Sequence, residues 1–210
     1  MSIINLYFIV NNAIIVVLKG GFYMPDSQLT KKALSAAMKK LMEQKPMEKI
    51  RIKEIVGLCN MHRQSFYYHF KDKYDLVNWI FYTEFIESIQ DLLENPSWEL
   101  FEKMCEFFYE NRVFYSNALQ VTGQNSFSEY FNEVMQPIIA SQVSDIFEED
   151  PDKDFYAEFL TDAIRVAITK WLSEGAKIPP GKFARLIKNV ARIGQKRDEK
   201  GTPRQGNKKS

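Results

Sequence analysis

The sequence predicts an all-α protein in which a domain of three helices precedes a domain of six. Apolar residues recur at intervals of three and four along most of the 210 residues, and helix-breaking residues such as Pro46, Gly123 and Gly175 separate these stretches. No stretch shows the alternation of period two that is typical of a strand. With 45% apolar and 14% aromatic residues, the chain has enough bulk for a substantial core.

The first domain is expected to span residues 25–75 and to contain one longer helix followed by two short helices. Asn60 stands between the short helices, and Asn tolerates the left-handed backbone that a tight turn requires. Phe66 and Phe70 lie four residues apart, so they should face the core together. The three helices are expected over residues 27–44, 51–59 and 63–70.

The second domain is expected to span residues 76–194, with its first helix beginning near Lys73. Pro137 should bend the fourth helix of this domain, and Gly175 should end the fifth. Pro180 opens the last helix. The first five helices are expected over residues 73–93, 98–109, 111–121, 126–147 and 154–173.

The two ends of the chain differ from the rest. Residues 1–24 form an apolar extension that is too short for a membrane span, lacks the charges of a secretory signal, and ends at Met24. The open interpretations are translated sequence upstream of the true start, a membrane anchor or interfacial segment, and an accessory strand or helix. Residues 195–210 are polar and basic, which favours a disordered tail. We expect no stable membrane association and a cytoplasmic location.

Charge is unevenly distributed, although the net charge is only +1. Residues 27–75 carry eleven Lys and Arg against five Asp and Glu, whereas residues 76–194 carry ten against nineteen. A basic first domain on an acidic second domain predicts that the first domain meets a polyanion.

The third helix offers side chains suited to double-stranded DNA. Arg63 and Gln64 can form paired hydrogen bonds with guanine and adenine in the major groove. Ser65, Tyr67 and His69 can bind phosphates, which fix position without reading sequence. The alternative is a packing helix whose polar residues face water, but exposed adjacent tyrosines are a poor choice for such a face.

Residues 63–76, read as RQSFYYHFKDKYDL, resemble the helix-turn-helix signature of the TetR family of bacterial regulators. The resemblance implies base contacts at the start of the recognition helix and phosphate contacts around it. The base-reading residues would be Arg63, Gln64 and Ser65. The phosphate-binding residues would be Lys53, Tyr67, Tyr68, His69 and Lys73.

Three residues depart from the usual pattern of the family. Asn60 replaces a turn glycine, and Arg51 and His62 replace small polar residues at helix starts, which should weaken those helix ends. Within the family, the stretch from Tyr74 to Phe81 resembles a group of Gram-positive regulators that includes activators of dihydroxyacetone kinase operons.

The resemblance also implies a homodimer, formed by the last two helices and bound to a palindromic operator. Half-sites one helical turn apart would lie roughly 34–36 Å from each other. The alternative is that these helices only close the core of one chain. The expected interface residues are Phe159, Ala163, Ala167, Trp171, Phe183 and Ile187.

The middle helices are rich in aromatic residues, which could line an effector pocket for a small molecule or a partner protein. They could equally form a filled core, and the residue pattern does not separate the two. The expected pocket residues are Phe101, Cys105, Phe108, Tyr109, Phe127 and Tyr130.

These patterns favour a transcription regulator over two other classes. A helical module that binds a ligand or protein without reading DNA is the alternative. An enzyme is disfavoured because the sequence has no paired carboxylates, nucleophile with its base, phosphate-binding glycine loop or metal-ligand cluster. We therefore expect no cofactor and no metal. Cys59 and Cys105 are expected to be buried thiols without a disulfide.

Overall fold

The protein is all-α in the computed structural model, which describes residues 25–93, 97–144 and 152–198. The described residues form nine helices, α1–α9, and contain no strand. The predicted extension before Pro25 and the tail after Asp198 lie outside the described residues. The last helix continues to Asp198, so the first four residues of the expected tail are helical.

The first three helices form a small unit that we call the head. A 3-10 turn follows the first of them, and the second and third are each seven residues long. The helices are α1 (Pro25–Met42), α2 (Ile52–Leu58) and α3 (Arg63–His69), and the 3-10 turn is Met47–Lys49.

Helix α4 leads out of the head and is interrupted, although the sequence predicted an unbroken helix. It begins as an α-helix over Lys73–Phe81, passes through a π turn at Tyr82–Ile86 and a 3-10 turn at Glu87–Ile89, and ends at Gln90–Leu93. The Thr83 hydroxyl donates to the carbonyl of Trp79 over 2.9 Å. Phe85, Ile86 and Ile89 stay buried through these two turns, so the interruption keeps the apolar face of α4 in the core.

The remaining helices complete what we call the body, helices α4–α9. Helix α7 packs along α8, α9 packs on α5, and α6 lies between α8 and α1. The helices are α5 (Trp98–Glu110), α6 (Arg112–Ala118), α7 (Phe127–Ser144), α8 (Lys153–Ser173) and α9 (Pro180–Asp198).

One continuous apolar core joins the head to the body. Both thiols are free: Cys105 is fully buried, and Cys59 is half-buried, so only the first is as enclosed as expected. Burial raises the pKa of Cys105 to about 12, which makes it an inert core residue. Among the described residues, no helix is both long and apolar enough to cross a membrane.

The helix ends show how the sequence sets the turns. Asn60 has a φ of 52°, the left-handed conformation predicted for it, and Gly175 has a φ of 83° after α8. Helix α2 has no Ser or Thr at its start, but the Glu54 carboxylate accepts the backbone N–H of Arg51 over 2.9 Å. This bond compensates for the missing cap that was expected to weaken α2.

The left-handed residue at Asn60 gives a direct test of the turn. Asn60→Ala should lower the free energy of unfolding by about 1 kcal/mol, because alanine is strained at this φ. Asn60→Gly should leave that free energy unchanged or raise it slightly, since glycine is unstrained there. Urea unfolding of both variants measures this difference. An equal loss in both would show that the Asn60 side chain, not its backbone, supports the turn.

Candidate nucleic-acid interface

One face of helix α3 packs into the apolar core. Phe66 is fully buried and Phe70 is 3% exposed, with their ring centroids 5.8 Å apart. Trp79 of α4 meets the Phe70 ring edge-on at 5.7 Å, and the Lys31 ammonium of α1 lies over both rings. The anchors predicted for the recognition helix are therefore in the core, in contact with α1 and α4.

The opposite face of α3 is open to solvent and carries the predicted base-reading residues. Arg63 and Gln64 are exposed, and Ser65 is half-buried. The Arg63 guanidinium donates to the Tyr67 hydroxyl over 3.4 Å and lies over its ring. This contact between residues four apart holds both side chains on the same exposed face of the helix.

The predicted phosphate-binding residues of α3 lie beside them. Tyr67 is 50% exposed and Tyr68 is 83% exposed, while His69 is half-buried against the Tyr68 ring. Burial, followed by the neighbouring Lys31 charge, lowers the pKa of His69 below its ordinary value. Both causes favour the neutral form of His69, which can still offer an N–H donor to a phosphate.

The two lysines predicted to bind phosphate differ in their surroundings. Lys53 is exposed near the start of α2. Lys73 donates from Nζ to the carbonyls of Met47, Glu48 and Ile50 over 2.8, 3.0 and 3.1 Å. An ammonium has three donors, and all three are engaged, so this geometry conflicts with the predicted phosphate contact of Lys73. Burial lowers the pKa of Lys73, in keeping with its position inside the head.

The turn from α3 into α4 is fixed by two carboxylates. Asp72 accepts the backbone N–H groups of Tyr74 and Asp75 over 2.8 and 2.9 Å, and Asp75 accepts that of Lys71 over 2.9 Å. These bonds satisfy the first donors of α4. They also fix the direction in which α4 leaves the exposed helix.

Two family models match this arrangement. Residues 33–80 match the model described as bacterial regulatory proteins, tetR family, and residues 97–192 match a transcriptional regulator C-terminal region of the same family. The chain belongs to the TetR family. It is accordingly a DNA-binding transcription regulator and not an enzyme.

Curated and solved relatives agree with this membership. The HTH-type dhaKLM operon transcriptional activator DhaS of Lactococcus lactis subsp. lactis (strain IL1403) is 28% identical over 155 residues, which cover 70% of this chain and 81% of that protein. A solved dihydroxyacetone kinase operon activator DhaS has a TM-score of 0.56 and 21% identity, covering 78% of this chain and 93% of its own.

A third relative extends the comparison of fold. The FadR repressor of Thermus thermophilus, solved in complex with lauroyl-CoA, has a TM-score of 0.57 and 13% identity. The match covers 86% of this chain and 99% of that one. At such identities these solved structures show that the fold is shared.

Six residues of this TetR regulator were expected to form an effector pocket. They pack against different side chains of the body. Phe108 and Phe127 pack around Phe81 with ring centroids 6.0 and 5.2 Å away, and Tyr130 meets the same ring at 6.4 Å. In contrast, Tyr109 stacks on Trp171 at 6.1 Å. Phe101 and Cys105 are buried in α5. These contacts favour the filled core over an open pocket among these six residues.

The structure brings forward two features of the body that the sequence did not indicate. The Tyr115 hydroxyl is buried beneath this aromatic cluster and has no hydrogen-bond partner among the described residues. An open depression of about 280 Å³ lies elsewhere, between α4 and α5. It is lined by Phe85, Ser88, Ile89, Lys103, Glu106, Phe107 and Glu110, and none of these belongs to the predicted pocket.

The residues expected at the dimer interface differ in how exposed they are. Trp171 and Phe183 are 4% and 7% exposed and stack on each other with ring centroids 4.4 Å apart, so they join α8 to α9 inside one chain. Both offer little surface to a second chain, and their interface role stays a prediction. Phe159 and Ala163 are exposed, and Ala167 and Ile187 are half-buried.

Substitution can distinguish the two roles of Lys73, namely binding carbonyls of the head and binding a DNA phosphate. Lys73→Met should lower the free energy of unfolding by about 1–3 kcal/mol, because three carbonyls lose a charged donor. Lys71→Met, at an exposed lysine two residues away, should leave it unchanged. Urea unfolding measures both. If stability held and the salt slope of DNA binding fell by about 1, Lys73 would be a phosphate contact after all.

Proposed function

We propose that this regulator binds a palindromic operator as a homodimer, with α3 of each chain in the major groove. One observation carries the proposal: Phe66 of α3 and Phe70 directly after it are buried, and a row of side chains suited to bases and phosphates is left exposed on α3. The head is also the basic part of the chain, which fits a polyanionic partner.

Within this arrangement, Arg63, Gln64 and Ser65 read base edges near the start of α3. Phosphates are bound by the tyrosine and histidine side chains on the rest of the helix and by Lys53 on α2. Lys73 has no part in the contact, because its donors are bound to carbonyls of the head. The phosphate-binding residues of α3 are Tyr67, Tyr68 and His69.

Substitutions on α3 test this division of roles. Gln64→Ala should relax the preference at one base pair, with a loss of about 1–3 kcal/mol of discrimination. Tyr67→Ala should weaken binding to all sequences alike, since a phosphate contact reads no base. Binding is measured on the preferred duplex and on its single-base variants, with Gln120→Ala, at an exposed glutamine of the body, as the control. An unchanged base preference in Gln64→Ala would refute the assignment of Gln64.

The interface of the homodimer is inferred from an exposed apolar face on α8 and α9. Phe155, Phe159 and Val166 of α8 are 63%, 61% and 56% exposed, and the rings of Phe155 and Phe159 stack at 6.3 Å. Leu186 and Val190 of α9 are also exposed. A second copy would remove these groups from water, and a two-fold dimer matches a palindromic operator.

The dimer is tested by a charge placed on this face. Phe159→Glu should convert the dimer to a monomer, because burying an unpaired carboxylate opposes association. Val113→Glu is the matched control, since Val113 is 54% exposed on α6, outside the proposed face. Analytical ultracentrifugation measures the mass of both variants. A Phe159→Glu protein that stays dimeric would place the interface elsewhere.

A regulatory ligand or partner protein is proposed to act on the body. The buried Tyr115 hydroxyl, which has no hydrogen-bond partner in the described part of the chain, supports a small ligand with an apolar part and one polar group, admitted by movement of the surrounding rings. Such a ligand changes DNA binding only if it favours one arrangement of the two heads.

The likeness to DhaS makes the promoter of a dihydroxyacetone kinase operon the first natural DNA to test.

A further inference from the structure

A single side chain of the body holds the head through three hydrogen bonds. Oδ1 of Asn117, on α6, accepts the backbone N–H of Met47 over 2.7 Å. Its Nδ2 donates to the carbonyls of Met42 and Lys45 over 3.1 and 2.9 Å. The Met42 carbonyl ends α1 and the Lys45 carbonyl lies in the turn after it, so neither has the N–H partner of a helix interior. Asparagine suits this position because one short side chain supplies both an acceptor and donors.

The same segment is also bound by α4. Lys73 binds the carbonyls of Met47, Glu48 and Ile50, as described above. The Met47 and Ile50 side chains are 0% and 2% exposed, so the segment is also packed into the core. The link from Met42 to Ile50 is therefore fixed to two helices of the body, one through Asn117 and one through Lys73.

Neighbouring contacts place Asn117 at the junction of head and body. Phe114 lies one turn before it on α6, and the Lys39 ammonium of α1 sits 5.8 Å from the centre of that ring. Lys39 also forms an ion pair with Glu84 in the π turn of α4. Helix α6 thus meets the end of α1 through one apolar ring and one amide, with an ion pair beside them.

We propose that Asn117 is a positioning residue that fixes the orientation of the head on the body and so the spacing of the two recognition helices. This inference rests on the proposed binding of a palindromic operator by a homodimer. It assigns to Asn117 no contact with DNA or with an effector.

Fixing the heads should affect the affinity for a palindrome and for a single half-site differently. A dimer whose heads are already at the operator spacing binds its second half-site without first restricting the heads. If the amide is lost, that restriction must occur on binding, so affinity falls for the full palindrome. Affinity for a single half-site does not depend on the spacing and should not change.

Asn117→Ala is compared with Asn132→Ala as a matched control. Asn132 is also a half-buried asparagine, and it bonds to Asp162 and Arg165 over 2.8 and 3.0 Å, all within the body. Dissociation constants are measured for a palindromic duplex, obtained by selection with the wild-type chain, and for the same duplex cut to one half-site. Asn117→Asp is a second variant that keeps the acceptor but places a carboxylate beside two carbonyls.

The expected result is about a tenfold loss for the palindrome in both Asn117 variants, within the usual range of coupling between sites. Half-site binding should be unchanged in every variant, and Asn132→Ala should bind both duplexes as the wild type does. Equal loss on both duplexes, no loss, or the same loss in Asn132→Ala would overturn the proposal.

Hydrogen exchange separates failure of this inference from failure of the proposed function. If the wild type binds no palindrome more tightly than a half-site, the proposed dimeric function fails. In that case the Met47 amide still reports on the junction, because it donates to Asn117. Its exchange should be faster in Asn117→Ala and unchanged in Asn132→Ala. An unchanged Met47 amide in Asn117→Ala would show that Asn117 does not hold the head.

Discussion

The structure depends on how a seven-residue helix is kept in place. A helix as short as α3 is not stable in water by itself, so its conformation has to come from tertiary packing. Phe66 and Phe70 provide this packing, and their burial leaves the polar side chains of α3 on the outside. The exposed row that suits DNA is therefore a consequence of the same two anchors. Lys31 and Trp79 complete the environment of Phe70 from α1 and α4.

A recognition helix with a fixed shape still needs a fixed place relative to the rest of the molecule. The chain provides it through the link between α1 and α2, whose main-chain atoms are bound by both Asn117 and Lys73. Both side chains bind main-chain atoms, so the contact constrains the backbone of the head directly. The π turn and the ion pair of Lys39 with Glu84 lie beside this junction. These polar contacts add to the continuous apolar core that also joins the head to the body.

Local patterns predicted the fold well, because apolar periodicity and turn residues are properties of neighbouring residues. They located the nine helices to within a few residues and gave Asn60 its left-handed backbone. Contacts between distant residues were not predictable in this way. Lys73 and Met47 are 26 positions apart, and Asn117 and Met47 are 70 apart. For the same reason, the stacking of Trp171 on Phe183 inside one chain could not be distinguished from an interface between two chains.

The central claim is that α3 reads DNA sequence as one of a symmetric pair. Selection of bound duplexes from a random pool by the purified full chain tests this claim most directly. The expected result is enrichment of an inverted repeat whose two halves have a fixed separation, near one helical turn of DNA or a multiple of it. Enrichment of a single unrepeated site, or binding without any sequence preference, would contradict it.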